Sequence, residues 1–183
     1  MPSTISIDAD GYHFDFHNAI TAYIFDEKQP SNPHFHGGFM KAVDIVAEFS
    51  DRILFIEIKD YRNFEDRFIE LKSMSDEEKK QKREALRWLK DYLKYKFRDT
   101  YLYRYAELGP VDKDIHYICL LSLSSGVLQI IKKQLREELP VGQKGKRWTR
   151  SLAKSCQIVD LDTWNRILST YATVKLIEPC SPQ

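Results

Sequence analysis

Apolar and polar positions alternate at the start of the chain. Ile5 and Ile7 precede a turn at Asp8-Ala9-Asp10-Gly11, and Tyr12, Phe14 and Phe16 follow it. That spacing predicts a β-hairpin over residues 4–16. From His17 to about Lys28 the period lengthens, with Ile20, Tyr23, Ile24 and Glu27 on one side, which predicts a short helix. Pro30, Asn32, Pro33 and the Gly37-Gly38 pair mark an irregular connection. Met40–Phe49 and Ile53–Lys59 are apolar on both faces, as in strands covered on two sides.

Residues 63–73 read as weakly helical. Ser75-Asp76-Glu77-Glu78 then forms a capping box, in which Ser75 caps the amide of Glu78. It opens a long charged helix to about Ala106, with Asp99-Thr100 as a candidate break and Leu86, Leu89, Leu93 and Phe97 as its apolar stripe. A strand over Ile115–Leu123, a helix over Val127–Leu139, a loop over Pro140–Ser151 and a short strand over Gln157–Leu161 come next. Asp162 is placed to cap a last helix reaching about Tyr171. The expected fold is a mixed α/β sheet flanked by helices, one domain over residues 1–178 with a polar tail over 179–183.

Composition narrows the class. The chain has 183 residues, with 28 Lys+Arg against 27 Asp+Glu, a formal charge of +1. With 43% hydrophobic residues it can fill a core and is not a disordered chain. The near-zero charge excludes a polybasic, histone-like protein but leaves room for local patches of either sign. No apolar run approaches the about 20 residues of a membrane helix, and no secretory leader is visible. Cys119, Cys156 and Cys180 are an odd set without C-x-x-C spacing, which suits a reduced, cytoplasmic protein.

Three charges interrupt the paired strands: Asp44, Glu57 and Lys59. A charge inside a two-sided apolar strand is costly unless it is paired or bound to an ion. If Ser50-Asp51 is a two-residue turn, Phe49 pairs with Arg52 and the same register sets Asp44 opposite Glu57. Their Cβ atoms are then about 4.5–5.5 Å apart. Lys59, two residues beyond Glu57, shares its face. Two carboxylates so close repel, and a divalent cation such as Mg²⁺ or Mn²⁺ relieves the repulsion with hard oxygen ligands. Such a cation polarises a phosphoryl oxygen and activates water, while Lys59 orients that water or stabilises developing charge. A buried Asp/Glu/Lys ion pair without metal is the competing reading of the same geometry.

Asp44, twelve intervening residues, and then Glu57-Ile58-Lys59 resembles the D…E-x-K signature of the PD-(D/E)XK nuclease superfamily, whose fold is restriction-endonuclease-like. The resemblance covers roughly residues 17–125. It implies a core of helix, strands, helix and strand, and a Mg²⁺-dependent hydrolase that cleaves phosphodiesters. Asp44 and Glu57 would be metal ligands and catalytic residues, with the backbone carbonyl of Ile58 as a further ligand. Lys59 would be the catalytic base or water-orienting group. Many members add an acid from the first helix, for which Glu27 is the candidate and Asp26 its competitor. The proline that often precedes the first acid is replaced by Val43.

Lys144, Lys146, Arg147 and Arg150, with Trp148 among them, form the strongest local positive cluster. Such a loop could hold a phosphate backbone, with Trp148 stacking a base, and a solvated turn packed over the Trp is the alternative. DNA is expected over RNA as the partner. A tyrosine-rich segment over residues 88–105 is a candidate homodimer surface. The stretch from His13 to His17 lacks His-Glu-x-x-His spacing, and neither a phosphate-binding P-loop nor a Gly-x-Ser-x-Gly elbow is present. The leading expectation is therefore a metal-dependent nuclease. A non-catalytic nucleic-acid-binding or assembly module with the same fold is the alternative.

Overall fold

Asp10 and Gly11 both adopt positive φ, 46° and 80°, which is what a tight two-residue hairpin turn with right-handed strand twist requires. They join β1 (Thr4–Ala9) to β2 (Tyr12–His17) with Ala9 opposite Tyr12. The structure, a computed structural model, describes residues 4–32, 35, 40–61, 75–109, 112–142 and 149–177. The helical segment expected over 63–73 and the tail from 179 lie outside those residues.

The short helix expected over 17–28 is instead a turn and a strand. Asn18 takes a left-handed φ of 59°, and Thr21–Ile24 forms β3, an edge strand antiparallel to β4 (Ile45–Glu48). A helix this short is marginal without outside help. Pairing with β4 satisfies the same backbone groups, and Ile20, Thr21 and Tyr23 suit a strand. Apolar residues recurring at helical intervals were not decisive over so few positions.

β4 is shorter than the strand expected over 40–49, because residues 40–44 approach it as irregular chain. The turn at Ser50-Asp51 is the two-residue one, closed by Phe49 N–H donating to the Arg52 carbonyl at 2.8 Å. It leads into β5 (Arg52–Lys59), with Ile45 opposite Ile56 and Glu48 opposite Ile53.

α1 (Asp76–Leu108) then runs 33 residues without a break. At the expected break, Thr100 Oγ1 donates to the Lys96 carbonyl at 2.7 Å and accepts from Val43 N–H at 2.9 Å. Asp99 Oδ2 accepts from Lys41 N–H at 2.9 Å. The two residues with poor helix propensity thus hold the approach to β4 and leave the helix intact.

β6 (Asp114–Leu121), α2 (Ser125–Glu138) and β7 (Ser155–Val159) complete a five-stranded sheet in the order β3-β4-β5-β6-β7. The pairs β5–β6 and β6–β7 are parallel. Both crossovers step in the same direction, and right-handed connections then put α1 and α2 on one face. That face is closed by Val46, Phe55, Tyr117 and Cys119 against Leu89, Leu93, Phe97, Ile131 and Leu135.

The opposite face packs on a second sheet. β8 (Ala172–Leu176) pairs with β2 to give the order β1-β2-β8, and Phe14, Phe16 and Val174 meet Ile45, Leu54, Ile56 and Ile58. α3 (Leu161–Ile167) is capped by Asp160, whose side chain accepts from Thr163 N–H, and not by Asp162, which lies in its first turn. Trp164 from α3 is fully buried between the layers and donates to the Ala172 carbonyl at 2.9 Å. β8 is a strand the sequence pattern had not predicted, and α3 ends at Ile167, short of Tyr171. Among the described residues the chain is a mixed α/β fold with two sheets and three helices. Among the described residues no helix is long and apolar enough to cross a membrane.

Candidate active site

Side chains alternate along β5. Leu54, Ile56 and Ile58 face the second sheet, while Ile53 and Phe55 face the helices. Glu57 follows the second set, so its carboxylate enters the layer between the five-stranded sheet and α1. It is 0% exposed. Asp44 precedes β4 at the register position opposite Glu57, and its carbonyl accepts from Phe25 N–H at 2.8 Å. It is 8% exposed, and its Oδ2 accepts from Ile58 N–H at 2.6 Å. The expected contribution from Ile58 was its carbonyl; the contact observed is through its amide.

The cation that closes this pair comes from α1. Lys96 is 4% exposed. Its Nζ lies 3.2 Å from Glu57 Oε2, 3.6 Å from Asp44 Oδ1 and 3.3 Å from Asp26 Oδ2. Lys59 Nζ lies 3.5 Å from Glu57 Oε1 and 3.5 Å from Asp10 Oδ2 at the tip of the β1–β2 turn. The expected trio of Asp44, Glu57 and Lys59 is therefore brought together, with Lys96, Asp26 and Asp10 added to it. Glu27 is elsewhere: its carboxylate accepts from Lys28 N–H, Gln29 N–H and Asn32 Nδ2 and so organises the turn after β3.

The electrostatics follow from burial. Desolvation, and then the neighbouring Asp44 charge, push the Glu57 carboxyl up to about 8. Burial also raises Asp44, with Lys96, Lys59 and the Ile58 amide pulling the other way. Burial works against a charged Lys59 and a charged Lys96. The Glu57 and Asp44 carboxylates outweigh it and hold both ammonium groups charged well past the ordinary lysine range. Burial lifts the Tyr61 phenol, beside the same cluster, to about 12.

Glu57 carries the fit to a metal. Neither of its buried oxygens has a hydrogen bond of good geometry; the two lysines supply ion pairs only. A buried carboxylate with unfilled acceptor capacity beside a second carboxylate is a hard-oxygen donor set suited to Mg²⁺ or Mn²⁺. Asp44 and Glu57 would hold such an ion. Among the described residues, however, no three His, Cys, Asp or Glu side chains converge as a ready metal cluster. Lys96 meets the charge requirement that would otherwise call for one.

Lys96 was missed in the sequence, although a signal existed. It falls three residues after Leu93 and one before Phe97, on the buried side of the helix, where a lysine has no reason to be unless it is paired. Of the basic loop, Arg150 is exposed. Lys144, Lys146, Arg147 and Trp148 lie outside the described residues. Cys119 and Cys156 are buried free thiols. Comparison with known proteins finds no matching family model, no matching curated protein and no matching solved structure.

Proposed function

We propose that this chain is a metal-dependent phosphodiesterase of the restriction-endonuclease-like kind, acting on nucleic acid, with DNA the preferred substrate. The observation that carries the reading is Glu57, a fully buried carboxylate without hydrogen bonds, beside Asp44 and with Lys59 on the same face. The element order supports it in part. An antiparallel run β3-β4-β5 is followed by α1 and a parallel β6, in keeping with the D…E-x-K resemblance, but a turn and the strand β3 stand where that resemblance implies a first helix.

Asp44 and Glu57 would hold the cation, and Asp44 is itself fixed by the Ile58 amide. A bound Mg²⁺ or Mn²⁺ supplies Lewis-acid polarisation of a phosphoryl oxygen and a lowered pKa for water. Lys59, partly exposed and held by Glu57 and Asp10, orients the attacking water and balances charge that develops on the phosphoryl oxygens of the pentacoordinate transition state. Lys96 keeps the two acids compatible. The test is single-turnover cleavage of an oligonucleotide with and without Mn²⁺. Asp44→Ala and Lys59→Ala should each abolish it, and intact metal-dependent cleavage in either removes the mechanism.

Lys96 also favours a second reading, a nucleic-acid-binding or assembly module without chemistry. Its ammonium, within 3.2–3.6 Å of both carboxylates, balances them together with that of Lys59 and with no metal at all. Calorimetric titration with Mn²⁺ separates the two. Heat that disappears in Asp44→Asn supports the enzyme, and no heat in either protein supports the module.

A further inference from the structure

Trp88 is 61% exposed on α1, although Leu89 and Leu93 beside it are buried. Its indole stacks on the Tyr92 ring one turn later, with centroids 5.3 Å apart and planes 19° from parallel. Tyr92 is the inner member of the stack. The Lys41, Lys96 and Lys59 ammonium groups lie 4.7, 5.5 and 5.7 Å from its ring centroid. The pair thus runs from the carboxylate–lysine cluster to solvent. It holds one flat apolar face rigid and leaves the other open.

An open aromatic face beside cations matches one chemistry well: a planar ring carried on an anionic backbone. A base inside a duplex has both faces covered by its neighbours and cannot offer itself to Trp88. An unpaired base can. A second copy of this chain is a poorer occupant, because the next exposed ring on α1, Tyr95, is flanked by Lys94 and Arg98 at 5.5 and 5.4 Å. Lys94 is engaged by Asp91 and Glu138, but Arg98 would oppose its own copy across such a contact.

We propose that Trp88 is the stacking platform for an unpaired base next to the phosphate that occupies the Asp44–Glu57–Lys59 site, so that the substrate is single-stranded or frayed nucleic acid. The inference rests on the proposed function for the position of the phosphate. Stacking on an aromatic side chain is worth about 1–3 kcal/mol per base, or about 5- to 150-fold in affinity.

The test uses the full chain carrying Glu57→Gln, which copies the protonated carboxyl in size and blocks cleavage. An oligo-dT strand and a duplex of the same length are titrated in turn, followed by tryptophan fluorescence and anisotropy. The single strand should quench the fluorescence, and Trp88→Ala should weaken its binding at least 5-fold while leaving the duplex unaffected. Trp88→Phe should restore most of the loss. Equal losses on strand and duplex, or no loss, overturn the proposal. So does a Trp88→Ala variant that changes sedimentation and not strand binding, since that marks a contact between copies. If Trp88-dependent strand binding is found but the unmodified protein cuts nothing with Mn²⁺, the platform stands and the nuclease reading falls. If the protein cuts but Trp88→Ala keeps its preference for strand over duplex, the reverse holds.

Discussion

Lys96 Nζ lies 3.2 Å from Glu57 Oε2, joining the middle of α1 to the end of β5 through the only fully buried carboxylate among the described residues. The contact explains how a strand that is otherwise apolar can carry an acid. It also makes the helix and the sheet depend on each other electrostatically, and the dependence is measurable.

Above about pH 8, where Glu57 is ionised, Lys96→Met should destabilise the fold by about 3–5 kcal/mol, because only the partly exposed Lys59 then remains beside that buried charge. Adding Glu57→Gln should recover most of that loss, since the double variant buries no charge at this contact. Urea unfolding of the four proteins gives the coupling energy directly. Losses that merely add would mean the two residues act independently.

Glu57 also sets a pH dependence. Its carboxyl sits near 8 in the fold against a usual value of 4.5, so folding retains a proton that the unfolded chain gives up. Stability from this group is complete below about pH 4.5 and is lost progressively as pH rises to about 8, where it levels off. Glu57→Gln should flatten that window, as should saturating Mn²⁺ if the acids hold the ion. Thermal unfolding at pH 5, 6, 7 and 8 reads it, and a slope unaltered in Glu57→Gln would assign it to another group.

Gly11 has φ of +80° and open space where a Cβ would sit. Gly11→Ala should therefore cost only the backbone penalty, about 1–2 kcal/mol, with no steric addition. A Tm drop of about 2–8 °C is expected. A larger fall would mean the hairpin tip packs more tightly than its surroundings indicate.

The basic loop predicts a salt effect. Replacing Lys146 and Arg147 with Ser should make the logarithmic salt slope of single-strand binding shallower by about 0.7 per charge. An unchanged slope removes the loop from the interface.

The register of β4 against β5 was legible because a two-residue turn leaves one solution. Once Phe49 pairs with Arg52, Asp44 must face Glu57. The stripe Leu89, Leu93, Phe97 was legible for a similar reason: 33 residues give a helical period enough turns to declare itself. Thr21–Ile24 was misread because its state is decided by β4, a partner remote in sequence, and four residues cannot carry a period of their own. β8 had a usable alternation, with Ala172 and Val174 inward and Thr173 and Lys175 between them. At the site, Asp44, Glu57 and Lys59 were readable as a unit through one strand pairing, whereas Lys96, Asp26 and Asp10 come from α1, the turn after β3 and the β1–β2 turn. Lys96 shows in the sequence only as a lysine on the buried stripe of α1, and Asp26 only as the competitor of Glu27; their convergence is made by tertiary packing.

The pairing of β2 with β8 bears on the order in which the site is built. A two-stranded hairpin is marginal in water until a third strand joins it, and here that strand is Ala172–Leu176. Asp10, carried at the tip of the hairpin, is therefore held most firmly against Lys59 once β8 has joined. Lys96 and Glu57 belong to elements made much earlier. On the ribosome, the inner ion pairs can close first and the arm over Lys59 last, leaving an interval in which Lys59 is exposed and the buried pair is already set.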